Sequence, residues 1–257
     1  MAWNPQQYGL FETQRSRPFF DLVSRISVEQ PRRVVDLGCG TGALTATLAA
    51  RWPEAEVAGL DSSPEMLDKA SVHTAGHANL SFRLADIAEW SPAPGDDVIV
   101  SNAALQWVPA HDKLLARWYA MLEPGAQLAV QMPANTDSPS QLLLRELADE
   151  PRWAERLRGL KIVNETVGPV EEYLALAFSA GVVVEAWETI YQHVLQGDDP
   201  VLEWLAGTRL RPFVAALGDE APVFVEEFRQ RLRVAYPSGP AGTVFPFRRL
   251  FVVATAA

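Results

Sequence analysis

The sequence predicts an α/β fold: a parallel, doubly wound sheet of seven strands with a helical cap. Three observations predict it. The β-branched pair Val34-Val35 leads through Asp36-Leu37 to Gly38, Gly40 and Gly42, and Thr45, Ala46, Leu48 and Ala49 then continue as a helix. A second apolar stretch ends in Asp61, about 20 residues beyond those glycines. Up to Met132, five apolar strands alternate with helical segments, which is the pattern of parallel strands joined by crossover helices.

Composition bounds the function. The 257 residues, 48% of them hydrophobic, suffice for one substantial core. They read as a single domain over 1–257, with an N-terminal lid at about 1–30 and a cap insert at about 195–243. Cys39 is the only cysteine, which excludes an intramolecular disulfide and fits a reducing compartment. The start, Met1-Ala2-Trp3-Asn4-Pro5, lacks the basic and apolar regions of a signal peptide. No run approaches the roughly 20 apolar residues of a membrane span, so the expectation is a cytoplasmic protein with no membrane partner. A net charge of -10 argues against nucleic acid, which needs a basic footprint, and points to a small-molecule ligand.

Phe19, Phe20, Leu22, Val23 and Ile26 recur at helical spacing and predict an amphipathic helix over the sheet. Upstream of it, Trp3, Tyr8 and Phe11 either lid a pocket or pack on the sheet edge. At the turn, the glycines let the backbone lie against a ligand with no Cβ in the way, and the next helix points its first N–H groups at the same place. Gly38-x-Gly40-x-x-Ala43 also fits the loose dinucleotide fingerprint. Asp36 separates the two readings. A carboxylate just before the first glycine repels a pyrophosphate and holds an ammonium group by a charge-assisted hydrogen bond.

The second strand, Glu56 to Asp61, ends where a doubly wound sheet places a carboxylate for both ribose hydroxyls. Capping the following helix is the alternative role for Asp61, and the glycines upstream favour the ribose. Ser62 and Met66 open that helix. A third strand, Leu80 to Ile87, carries Asp86, able to accept from an adenine amino group while Ile87 packs on the ring; a cap or turn role weighs nearly as much. The fourth, Asp97 to Asn102, leads into Ala103 to Val108, so Asn102, Gln106 and Trp107 are candidates near the reacting centre. Trp107 reads equally well as ordinary packing, and His111 and Lys113 as solvated helix residues.

A helix over Leu114 to Leu122 stops at Glu123-Pro124-Gly125, and Ala126 to Met132 is the fifth strand. Residues 133–180 read as mostly helical, anchored by Leu142, Leu143 and Leu147. Val182 to Tyr191 and Phe247 to Ala254 are the sixth and seventh strands. Between them a helical insert, about Leu195 to Thr243, carries Trp204, Arg209, Arg211 and Phe213 and reads as a substrate-covering cap or a structural elaboration.

Together, Asp36-x-Gly38-x-Gly40-x-Gly42, Asp61 and Asp86 resemble the class I S-adenosylmethionine-dependent methyltransferases over the first 132 residues. Over nearly the whole chain the sequence is similar to a bacterial family, the trans-aconitate 2-methyltransferases. The resemblance rests on Trp3 to Tyr8, Val34 to Gly42, Ser101 to Val108, Gln131-Met132-Pro133, Trp187-Glu188-Thr189, Gly207 to Pro212 and Phe245 to Arg249. Gly125-Ala126 and Ser140-Gln141 depart from its usual Gly-Gly and Ser-His.

The resemblance implies a Rossmann-like methyltransferase sheet, S-adenosylmethionine as cofactor and esterification of one carboxylate of trans-aconitate. The implied cofactor residues are Asp36, Gly38, Gly40, Gly42, Asp61, Ser62, Met66, Asp86, Ile87 and Asn102. The substrate candidates are Gln106, Trp107, Tyr191, Trp204, Arg209, Arg248 and Arg249, with Arg211 beside them. Arg248 and Arg249 are adjacent on a strand, so they point to opposite faces and cannot both enter one pocket. Carboxylic acids titrate near pH 4, so the nucleophile is already ionised at neutral pH. No catalytic acid or base and no metal is expected. Rival readings are methylation of another small acceptor and a sensor that binds the nucleoside without turnover.

Overall fold

The computed structural model describes residues 12–160 and 167–257, with side chains from residue 16 onward. The aromatic lid expected from Trp3, Tyr8 and Phe11 lies outside the described residues. In chain order the elements begin with α1 (Glu12–Val23), β1 (Arg33–Leu37), α2 (Ala43–Arg51), β2 (Glu56–Asp61), α3 (Pro64–Ala70), β3 (Leu80–Leu84) and β4 (Asp96–Asn102). There follow α4 (His111–Tyr119), β5 (Gln127–Pro133), α5 (Pro139–Ala148), α6 (Pro151–Leu157), α7 (Val170–Ser179) and β6 (Val183–Leu195). The chain ends with α8 (Pro200–Ala206), α9 (Arg211–Leu217), α10 (Ala221–Ala235), β7 (Ser238–Gly239) and β8 (Gly242–Thr255).

The strands run β3-β2-β1-β4-β5-β8-β6 across the sheet, and the two-residue β7 pairs with β8 off that path. The seven expected strands are thus the continuous path, and β7 is a short hairpin addition. β1 lies between β2 and β4, parallel to both, with Val35 opposite Ala58 on one side and Ile99 on the other. Consecutive crossovers therefore leave β1 in opposite directions, and the carboxyl ends of β1 and β4 flank the switch point where such sheets bind ligands. β8 closes against β5 antiparallel, with Val130 opposite Val252.

The chain divides into two compact units. Among the described residues, the first comprises 16–133, 167–189 and 249–257. Its core is the sheet interior: Val34, Leu37, Val57, Ile99, Val100 and Val130 are buried, and β5 is buried at every position, as expected of a strand covered on both faces. Phe19, Leu22 and Val23 of α1 are buried with Ile26 just beyond it, whereas Phe20 is 49% exposed. Arg51 donates to the Val23 and Ile26 carbonyls, satisfying the end of α1.

Several boundaries differ from the sequence expectation. β3 stops at Leu84, because Asp86 closes a turn: its Oδ1 accepts the Ala88 N–H at 2.8 Å and its carbonyl accepts the Glu89 and Trp90 N–H groups. α4 starts at His111, three residues before Leu114, and ends at Tyr119. His111 is not solvated. It is 1% exposed, hydrogen-bonded through Nε2 to the Tyr173 hydroxyl at 2.8 Å, and burial pushes its pKa below the usual histidine value. It shares a helical face with Leu114, Leu115 and Trp118, so it belongs to the apolar stripe.

The second unit comprises residues 134–160 and 190–248 among those described. The insert expected over about 195–243 has its own core, and α5 and α6 join it. Leu144, Leu147 and Trp153 cluster with Phe213, Phe224, Phe228 and Phe245. Trp153 meets Phe224 edge-on at 5.4 Å, and Phe213 stacks on Phe224 at 5.8 Å. Leu142 is 42% exposed and is not an anchor; Leu144 takes that role because it lies on the face α5 turns to α10. No helix among the described residues is long and apolar enough to cross a membrane.

Candidate functional site

The turn after β1 is built from three glycines at φ +78°, +57° and +75° for Gly38, Gly40 and Gly42, a region L side chains rarely adopt. Their surroundings differ. A Cβ on Gly38 would lie 2.3 Å from the Ala104 Cβ, and one on Gly42 would lie 2.5 Å from the Phe82 ring. Of the three, only Gly40 meets none of the described residues within 4 Å. Gly38 and Gly42 are therefore required so that the turn can pack against its own protein, and Gly40 leaves its backbone accessible.

Asp61 fixes that turn. Its Oδ2 accepts the Gly40 N–H and its Oδ1 accepts the Ser63 N–H, each at 2.9 Å. The capping of α3 falls to Ser63, whose Oγ accepts the Met66 N–H at 3.3 Å, so the cap role considered for Asp61 belongs to its neighbour. Ser62 is exposed and Met66 is buried.

Asp36 is 3% exposed, and its Oδ2 accepts from Thr45 Oγ1 at 2.6 Å. Burial pushes its pKa up to about 6, opposed by the Thr45 hydrogen bond and reinforced by the charge of Asp61. Cys39 in the same turn has its thiol pushed far up by burial and by the two carboxylates, so it is not a nucleophile at neutral pH.

Ile87 reaches this turn, its Cδ1 lying 3.4 Å from where a Gly38 Cβ would stand, whereas Asp86 is exposed in its own turn. At the exit of β4, Ala103 and Ala110 hold φ of +54° and +53°. These are strained values for alanine. The segment between them is braced by Gln106, whose Nε2 donates to the Ala103 carbonyl at 2.6 Å. Trp107 next to it is 50% exposed. Asn102, half-buried at the end of β4, has no partner for Oδ1 among the described residues.

The first unit thus brings together the glycine turn, Asp36, Asp61, Ile87 and the β4 exit. The remaining substrate candidates divide between the units. In the second, Tyr191 stacks on His193, which stacks on Trp204 at 5.1 Å, so both aromatic candidates are core members. Arg209 is buried there and Arg211 half-buried. Arg248 donates to the Ala134 carbonyl at 2.6 Å and pairs with Asp137 at 3.2 Å. Arg249, in the first unit, is 4% exposed and donates through Nη1 to Gln131 Oε1 at 3.1 Å. Gln131 is a functional candidate that sequence reasoning passed over. The signal was present as one amide in the otherwise apolar run Leu128-Ala129-Val130-Gln131-Met132.

A doubly wound sheet with an acidic-glycine turn at its switch point defines a class I methyltransferase, whose methyl donor is S-adenosylmethionine; residues 34–125 match the family model of a methyltransferase domain. Solved structures show the same fold. The YcgJ protein of Bacillus subtilis superposes with a TM-score of 0.57 at 17% identity, covering 92% of this chain and 97% of that one. Phosphoethanolamine N-methyltransferase 2 of Haemonchus contortus, with S-adenosylmethionine, gives 0.54 at 20% identity over 93% of this chain and 52% of that one. Curated relatives are more specific. Trans-aconitate 2-methyltransferases of Streptomyces avermitilis and Rhodococcus jostii are each 48% identical, over 98% of this chain and 96% and 98% of theirs. That of Mycobacterium tuberculosis is 45% identical over 98% of this chain and 96% of its own. The chain belongs to the trans-aconitate 2-methyltransferase family.

Proposed function

We propose that this enzyme esterifies one carboxylate of trans-aconitate with the methyl group of S-adenosylmethionine. The observation that carries the reading is identity of 45–48% across 98% of the chain with relatives bearing that name. In this reading the substrate is a small anionic acid, not nucleic acid or membrane, as the net charge of -10 supports. The compartment is the cytoplasm, as a single, unreactive cysteine supports.

The residues of the first unit suit the cofactor. Asp36 is a buried carboxylate whose elevated pKa a cationic amino group would pull back down. Asp61 keeps acceptor capacity for ribose hydroxyls, because each of its oxygens receives one backbone N–H and has a second lone pair. Gly40 leaves open backbone beside it, and Ile87 offers an apolar surface for a base. Gly38, Gly42, Ser62, Met66, Asp86 and Asn102 complete the assigned cofactor set.

When bound, the cofactor supplies an electrophilic methyl on a cationic sulfur. The chain's task is then to bind, orient and dry the acceptor. A carboxylate at neutral pH is its own nucleophile, so no side chain has to remove a proton. Rate comes from holding the carboxylate in line and excluding water, which leaves the anion needing cationic or hydrogen-bonding partners. In the first unit Arg249 is the buried guanidinium candidate; in the second Arg209 is buried and Arg248 half-buried. Gln106 and Trp107, at the braced β4 exit, are the other substrate candidates of the first unit; Tyr191 and Trp204 are those of the second. Incubating the enzyme with both compounds and analysing the product by mass spectrometry tests the reading. It requires an aconitate monoester and S-adenosylhomocysteine in equal amounts.

A further inference from the structure

The carboxyl end of β5 carries a polar residue, Gln131, that the cofactor reading does not use. Gln131 is fully buried in a strand buried at every position. Its Oε1 accepts from Arg249 Nη1 at 3.1 Å, and since a guanidinium only donates, this contact settles which end of the amide faces the arginine. The Nε2 group is consequently turned the other way, and it has no partner among the described residues. Directly across the β4–β5 ladder stands Asn102, whose Oδ1 also lacks one, and the Gln131 carbonyl accepts the Ala103 N–H at 2.9 Å. Buried amide groups rarely stay unpartnered in a folded protein, so an unfilled donor at the ligand-binding edge of the sheet points to an occupant.

We propose that Gln131 is a specificity-determining residue whose Nε2–H donates to a carboxylate oxygen of the acid substrate, with Arg249 as the positioning residue that orients it. The group offered is a donor beside a guanidinium, which suits an anionic acceptor rather than a neutral or cationic one. The neighbouring Asn102 offers an acceptor, so adjacent strand ends sort the ligand groups: a donor goes to β4 and an anion to β5. The inference rests on the carboxylate-methylation reading and adds to it the residue that recognises the acid.

Gln131→Glu is the decisive variant. It keeps an oxygen for Arg249 and the volume of the side chain, but replaces the donor with an anion. The expected result is a KM for trans-aconitate raised at least roughly thirtyfold, the combined effect of a lost charge-assisted bond and an added like charge. S-adenosylhomocysteine affinity, measured by calorimetry, stays within about twofold, and thermal stability is retained. Gln131→Met, which lacks both polar ends, is the second variant and raises KM by roughly tenfold without the repulsion.

An unchanged KM in Gln131→Glu overturns the inference and leaves an ordered water as the partner of Nε2. A fall in S-adenosylhomocysteine affinity equal to the rise in KM also overturns it, because the carboxylate recognised is then the cofactor's own. The underlying reading fails separately: it is the wild-type enzyme turning over no carboxylic acid at all that removes both.

Discussion

Asp61 holds the Gly40 and Ser63 N–H groups with its two carboxylate oxygens, each at 2.9 Å, so one side chain sets both the glycine turn and the entry to α3. The turn is therefore shaped before any ligand arrives, and Asp61 has a structural task as well as a binding one. Asp61→Ala should destabilise the chain by about 1–3 kcal/mol through two lost charge-assisted bonds, and weaken S-adenosylhomocysteine binding at least roughly thirtyfold. Urea unfolding and calorimetry on the same samples check this. Full stability with lost binding would show the two backbone contacts to be incidental.

The glycines separate packing from binding. Gly38→Ala forces a Cβ to within 2.3 Å of Ala104, whereas Gly40→Ala meets none of the described residues within 4 Å. Both replacements incur about 1–2 kcal/mol for a left-handed alanine, but only the first adds a clash. Gly38→Ala should thus have the lower Tm by a clear margin, while Gly40→Ala loses more cofactor affinity per unit of stability lost. Equal melting temperatures would contradict the assignment.

Asp36 makes the protein's stability depend on pH. Its folded pKa is pushed from 3.8 up to about 6, so the folded state favours the protonated form. The resulting stability is fully present below about pH 4 and is lost as pH rises through about 6, a difference of about 3 kcal/mol without ligand. Asp36→Asn should remove that slope. Ligand binding runs the other way: an ammonium needs the ionised carboxylate, so S-adenosylhomocysteine affinity should fall roughly tenfold per unit below pH 6 in the wild type. It should not do so in Asp36→Asn. Calorimetric titrations between pH 5 and 8 distinguish the two.

Ala103 carries backbone strain at the end of β4, where Asn102 and Ala104 meet the site. Ala103→Gly should leave stability unchanged or raise it by up to about 1 kcal/mol, and Ala103→Val should lower it by about 2 kcal/mol or more, because a β-branched residue tolerates positive φ least. Thermal unfolding of the pair checks the strain. Equal stability of the two variants would contradict it.

The strand–turn–helix at the start of the sheet was legible because its signals are local: β-branched residues, spaced glycines and an acid at a fixed offset. Asp61 was legible for the same reason. What escaped depends on partners distant in sequence. His111 looks like a polar helix residue until Tyr173, 62 positions away, supplies its hydrogen bond. Leu142 and Leu144 are indistinguishable until the helices of the second unit define which face of α5 is inward. The joining of α5 and α6 to the later insert rests on aromatic contacts such as Trp153 with Phe224. Asp86 follows directly on the apolar-ended strand Leu80 to Leu84, and its side chain's local hydrogen bond makes a turn there instead. Gln131 acquires meaning only when β8 brings Arg249 beside it.

The measurement that bears most directly on the account is kcat/KM from S-adenosylhomocysteine formation, with trans-aconitate, cis-aconitate, citrate and isocitrate offered separately. Turnover on trans-aconitate at least roughly tenfold above every other acid is the predicted result, a difference of about 1.4 kcal/mol in transition-state binding. No turnover on trans-aconitate, with cofactor binding intact, would contradict the assignment of this acid as the substrate.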